Sequence, residues 1–261
     1  MRNRFAFCFL ASVGGLAMVL LTGCGQINSP LRVGTALAGN WTFAPSSSSV
    51  ILNLGFTQGA YETVSAVGRI EGSSCVSSQT DILLTGSVDA NDNVTLVSAP
   101  FGGTTLTLKG QVAANGKGMA AANWSFAGGA CAALGTTDVT ATNYSTIGGT
   151  YQGTFIDKDD NPLQVSAFLQ QTTQPDQNGQ FSVSGTASFP SINCFTLQPT
   201  VTSSLVTGSS LSMTYTDPGS GAVLKTTGTF NSAASQLTIA SWSITGGTCN
   251  GDSGTGTMSL E

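Results

Sequence analysis

The feature that most constrains how this chain folds is a tandem repeat. Trp124-Ser125-Phe126-Ala127-Gly128-Gly129-Ala130-Cys131 recurs 118 residues later as Trp242-Ser243-Ile244-Thr245-Gly246-Gly247-Thr248-Cys249. Cys75 and Cys194 are 119 residues apart. The openings Gly39-Asn40-Trp41-Thr42-Phe43 and Gly149-Thr150-Tyr151-Gln152-Gly153-Thr154-Phe155 lie about 110 apart. A segment that recurs whole folds twice, and each copy must bury its own apolar residues. The repeat predicts two units, 39–143 and 149–261, with the seam at Asn143 to Gly148.

Within each unit the apolar period is two. Val50, Leu52, Leu54 and Phe56 alternate with Ile51, Asn53 and Gly55. In the second copy Phe181, Val183, Gly185 and Ala187 alternate with Ser182, Ser184 and Thr186. This is the pattern of half-buried strands. Abundant Gly, Ser and Thr, with few Lys, Arg and Glu, withholds the best helix formers. Turn residues punctuate the runs at Asp89 to Asn93, Ala114-Asn115-Gly116, Asp157 to Pro162 and Asp217-Pro218-Gly219. The spacing predicts an all-β chain, each repeat an antiparallel up-and-down meander of about eight strands. Eight such strands close into a small barrel and leave no free edge. A pair of β-sandwiches is the alternative. Met119 and Ala121 are out of phase with Trp124 and Phe126, as Leu237 and Ile239 are with Trp242 and Ile244. A bulge before each Trp would explain both. The Gly-x-Trp and Gly-x-Tyr openings resemble those of lipocalin-like and avidin-like barrels. That resemblance is one of architecture and carries over no ligand-binding residue.

The first 23 residues have another character. Arg2 and Arg4 precede an apolar run from Phe5 to Leu20, which ends in Leu21-Thr22-Gly23-Cys24. Basic start, apolar stretch and small residue make a secretory signal. The run is short for a membrane span of about 20 residues. The last four residues resemble the lipobox of bacterial lipoproteins. The resemblance implies cleavage before Cys24, a thioether-linked lipid on its sulfur and a fatty acid such as palmitate on its amino group. Gly25, standing where an Asp would hold a lipoprotein back, implies export to the outer membrane. Residues 24–38 would then tether the first unit to the membrane.

Loss of Arg2 and Arg4 takes the net charge from −5 to −7. A chain so acidic and sparsely charged has no electrostatic footprint for nucleic acid or anionic lipid. The membrane partner is reached through the lipid on Cys24. An exported compartment permits disulfides. Four cysteines beyond Cys24 allow three pairings, and the repeat selects Cys75–Cys131 and Cys194–Cys249, each within one unit. In a meander the connections after strands three and seven lie at one end, which brings each pair together.

The chain has no histidine. Ser-His-Asp and Cys-His catalysis are therefore ruled out, as are the commonest zinc and non-haem iron sites. No glycine-rich loop stands between a strand and a helix to hold a nucleotide. After Cys24 the glutamates are Glu62, Glu71 and Glu261, while the aspartates cluster in turns. A carboxylate-based hydrolase is thus the weakest of three functional readings. Asp89 to Asn93 and Asp157 to Asn161 resemble calcium loops but lack the sixth-position glycine and the twelfth-position glutamate, so they read as turns. No catalytic residue, metal or cofactor is expected. Trp41, Trp124 and Trp242 either fill the barrels or line a ligand cavity. The leading expectation is a lipid-anchored envelope protein that serves as a non-catalytic binding or interaction module, its partner (protein, glycan or small apolar ligand) and oligomeric state left open by the sequence. The alternative is a carrier of a small apolar ligand.

Overall fold

A computed structural model of the chain describes residues 37–59, 63–190 and 193–261, which fall within one compact unit. The signal segment, Cys24, Glu62 and most of the expected tether lie outside the described residues. The first repeat comprises β1 (Gly39–Ala44), β2 (Ile51–Gln58), β3 (Thr63–Glu71), β4 (Ile82–Val88), β5 (Asn93–Ser98), β6 (Thr105–Val112), β7 (Gly118–Ala127), β8 (Thr136–Asp138) and β9 (Thr140–Tyr144). Each strand from β1 to β7 pairs antiparallel with the next, and β9 pairs with both β7 and β1. The ring is thereby closed. β8 and β9 are one interrupted eighth strand, since Val139 between them still donates its N–H to the Ala122 carbonyl.

The second repeat comprises β10 (Gly148–Asp157), β11 (Pro162–Gln171), β12 (Val183–Ser188), β13 (Thr200–Thr207), β14 (Ser210–Thr216), β15 (Val223–Phe230), β16 (Gln236–Thr245) and β17 (Ser253–Leu260). These eight strands form a closed antiparallel barrel, β17 returning to β10. Both units are up-and-down barrels, as the spacing of turns predicts, and not sandwiches. The phase changes before the tryptophans are bulges. In β7 the register slips between Lys109 and Gln111 of the partner strand, and Ala121 takes a positive φ of 49°. In β16 the slip falls between Ile239 and Trp242. Each bulge turns the following Trp inward after two exposed residues, Ala120-Ala121 in β7 and Ala240-Ser241 in β16.

The interiors are filled with side chains. In the first barrel Trp41, Phe43 and Phe56 are fully buried, with ring centroids 5.8 to 6.1 Å apart. Trp124 meets Phe126 edge-on at 5.7 Å. In the second, Trp242 stacks on Phe155 at 5.9 Å, and Phe155 continues to Phe189 and Phe195. The indole N–H of Trp41 donates to the Leu37 carbonyl, and that of Trp242 to the Thr255 carbonyl. Leu37, assigned to the tether on sequence, is itself fully buried in the first core. Each large side chain so withdrawn from water contributes about 2–3 kcal/mol.

The two barrels are docked. One end of the second rests on the outer wall of the first. Asn40 Nδ2 donates to the Gly208 carbonyl at 2.7 Å, and Asn40 Oδ1 accepts from the Gly208 N–H at 2.9 Å. Gly208 lies in the β13–β14 turn at a φ of +54°, and a Cβ there would strike Asn53 and Thr42. The β11–β12 connection also packs on this wall. A side chain at Gly55 would strike Gly179 and Pro175, and one at Gly179 would strike Val67. Tyr144 meets Phe230 edge-on at 5.4 Å, and Ser145 donates its N–H to the Ser232 carbonyl.

Candidate functional site

The disulfides form as the repeat and the meander predict. Cys75 pairs with Cys131 and Cys194 with Cys249, with Cα atoms 5.1 and 5.4 Å apart. Each joins the β3–β4 or β12–β13 connection to the last long connection of its barrel and closes one end. Trp41, Trp124 and Trp242 all lie inside, at most 2% exposed, and act as packing. The three are not brought together: one stands in the aromatic trio of the first barrel, one on Phe126 and one in the second barrel.

The aspartate turns close on themselves. Asp89 Oδ1 accepts from the N–H groups of Asn91 and Asn93, while Asn93 Nδ2 donates to Asp89 Oδ2. Asp157 does the same with Asp159 and Asn161, and these bonds, the Asn161 side chain foremost, hold its carboxyl below the usual range. The fourth residue of each turn, Asp92 and Asp160, is left-handed at φ near 60°. Such geometry is that of hairpins whose first carboxylate caps the turn. Among the described residues no group of three or more His, Cys, Asp or Glu side chains converges to hold a metal.

Asp217 is the one fully buried carboxylate among the described residues. It accepts from the N–H groups of Thr196, Leu197, Gly219 and Ser220 and from the hydroxyls of Thr196 and Ser220. Burial alone would raise its pKa. The Ser220 hydroxyl and the N–H groups of Gly219, Thr196 and Ser220 outweigh burial and hold the carboxyl well below the ordinary range. Every bond comes from a loop donor, so this carboxylate pins the Cys194 connection to the β14–β15 turn. Among the described residues, the groups bonded to the Asp217 carboxylate are those of Thr196, Leu197, Gly219 and Ser220.

Two surface features lie outside the barrels. A groove of about 680 Å³ runs along the junction, with Arg69, Glu71 and Gln79 on the first barrel and Gln180, Leu205 and Ser212 on the second. Its charges are already engaged: Arg69 Nε pairs with Asp81 at 2.7 Å, and Glu71 accepts from Asn53. On the wall of β10–β12 an aromatic ring points at solvent. Phe168 is 54% exposed between Thr150 and Thr186. Neither surface is evident from motif scanning. One signal for Phe168 was present, because Val165, Ala167 and Leu169 set the inward phase of β11 and leave Phe168 on the outward one.

The class these observations define is a pair of tandem, disulfide-closed β-barrels with filled interiors, docked end to wall. No protein-family model matches the chain, and no curated protein or solved structure matches it.

Proposed function

We propose that this is a lipid-anchored protein of the bacterial cell envelope, held at the outer membrane through Cys24, which binds partners on its outer walls and catalyses no reaction. The residues Leu21-Thr22-Gly23-Cys24 support the anchor. The observation that carries the binding role is the packing of both interiors. Trp41, Phe43 and Phe56 in one barrel and Tyr151, Phe155 and Trp242 in the other occupy the space a carrier would keep for cargo. A barrel of eight strands has room for side chains or for one small ligand. Binding then falls to exposed surface, where Phe168 and the junction groove offer it.

Two measurements test this reading. Radiolabelled palmitate should enter the wild-type protein in cells and be absent from Cys24→Ala, which should leave the membrane fraction; equal labelling of both would refute the anchor. Native mass spectrometry of residues 25–261 from a bacterial periplasm should give a bare chain, four hydrogens light for two disulfides. A reproducible extra mass released on unfolding would replace the binding module with a carrier.

A further inference from the structure

We propose that the first barrel stands on the lipid bilayer with its Leu37 end against the headgroups, while its disulfide-closed end and the junction groove face away from the membrane. The proposal rests on the reading above that Cys24 carries the anchor, and adds which surface meets the lipid.

The chain enters the barrel at one fixed point. Leu37 is fully buried in the first core. Its N–H donates to Gln58 Oε1 at 3.0 Å, and its carbonyl accepts from the Trp41 indole at 2.9 Å. β1 starts two residues later, beside the end of β2 and the start of β3. The antiparallel ladders place the Asp89–Asn93 and Ala113–Lys117 turns at this same end and the Cys75–Cys131 bridge at the other. Cys24 precedes Leu37 by 13 positions, a reach of at most about 45 Å. Strands such as β2 and β6, eight residues long, set the two ends about 20 Å apart at the usual rise and tilt. To bring the far end to the bilayer, the chain from Cys24 would have to double back over that length along the barrel. The nearest wall, β1 and β2, is already occupied by the second barrel, with Gly208 at Asn40 and Pro175 at Gly55.

The chemistry of the two ends agrees. At the Leu37 end the turns expose Asp89, Asn91, Asn93, Asn115 and Lys117. Among the described residues, the large apolar side chains exposed on this barrel are Leu83 and Val97, and each stands one residue from the far end of its strand. A face of amides and charges stays among hydrated headgroups, because hydrocarbon would strip its polar groups of water. Asp89 and Asp92 against Lys117 give this face no attraction for anionic lipid, so the lipid on Cys24 supplies the affinity and the face only rests on the surface. Arg69, Glu71 and Gln79, on the first barrel's side of the junction groove, belong to the far end of β3 and the connection after it. The groove, Leu83 and Val97 are thereby on the side turned away from lipid.

The test is energy transfer from a dye on the intact, membrane-purified protein to an acceptor dye on the headgroups of phosphatidylcholine vesicles with which it floats. The donor is attached through maleimide to Asn91→Cys or Ala114→Cys at the Leu37 end, or to Ser47→Cys or Ala99→Cys at the other, all four positions being exposed. The disulfides occupy Cys75, Cys131, Cys194 and Cys249, so the introduced thiol takes the dye. Donors at 91 and 114 should lie closer to the bilayer than donors at 47 and 99 by about 20 Å. Matching melting temperatures would show that each variant is folded. Equal distances at the two ends, or a closer far end, in protein that floats would overturn the orientation and leave the anchor standing. Protein that does not float with the vesicles would remove the anchor and this proposal together.

Discussion

Asn40 and Gly208, 168 residues apart, exchange two hydrogen bonds through one side-chain amide and one peptide unit. Asn40 sits on the outward face of β1, where a polar residue is ordinary, yet it is only 3% exposed. The glycine is required, because its φ of +54° and the closeness of Thr42 and Asn53 leave no place for a Cβ. Asn40→Ala leaves a buried N–H and a buried carbonyl without partners. It should cost about 2–4 kcal/mol. Urea unfolding should show this loss, whereas Thr150→Ala at the matching position of the second barrel should change stability by no more than about 0.5 kcal/mol.

Thr207, the residue before Gly208, has a buried hydroxyl without a hydrogen-bond partner. Thr207→Val keeps the β-branched shape and removes the unsatisfied group. It should stabilise the protein by about 1 kcal/mol, measured by the same unfolding experiment. A destabilised variant would mean that water satisfies the hydroxyl.

The disulfides span 56 and 55 residues. In the chain-entropy model each stabilises its barrel by about 4 kcal/mol. Ellman titration of the folded, unreduced protein should find none of these four thiols free. The double variant Cys75→Ser/Cys131→Ser should lower the unfolding midpoint of the first barrel by more than that of the second, as site-resolved hydrogen exchange would report.

Asp217 predicts acid sensitivity. Its folded carboxyl titrates well below the unfolded value of about 4. The stability this difference supplies is complete above pH about 4 and is lost as pH falls through the folded pKa. Asp217→Asn should therefore be less stable than wild type at pH 6, with the gap narrowing towards pH 2.5. A gap independent of pH would assign the effect to shape and not to charge.

Tyr215 predicts the opposite limb. Burial pushes its phenol upward, and its hydroxyl reaches only the Met213 sulfur at 3.3 Å. A folded pKa above the unfolded value of about 10 gives stability that is full below pH about 10 and lost as pH rises further. Tyr151 is shifted the same way by burial, against a smaller opposing hydrogen bond at Gly148. Absorbance at 295 nm should show these two phenols ionising only with unfolding; Tyr215→Phe should flatten the alkaline loss of stability.

Much of this molecule was legible in the amino-acid sequence because the relevant forces are local or repeat-encoded. Alternation in β2 and β12 follows from the two-residue period of a strand. The hairpins at Asp89 and Asp157 follow from carboxylates that bond their own turns. The pairing of Cys75 with Cys131 follows from a meander that returns to the same end. The bulges announced themselves as phase errors before Trp124 and Trp242. Periodicity also places Phe168 outward, but it says nothing of which outward face will be covered. Asn40, Asn53 and Gly55 look like any other outward positions, and only the docked second barrel, through Gly208, Pro175 and Gly179, buries them. Whether the tryptophans line a hollow or fill it likewise depends on rings from several strands meeting at about 6 Å. The sequence by itself determined the strands, the turns and, through the repeat, the two units, because alternation and turn chemistry arise from neighbours along the chain and the repeat is written in it twice. Tertiary structure alone decided the filled interiors, the docked wall and the exposed ring, because rings from different strands must meet inside each barrel and the docked wall joins Asn40 to Gly208, 168 residues away.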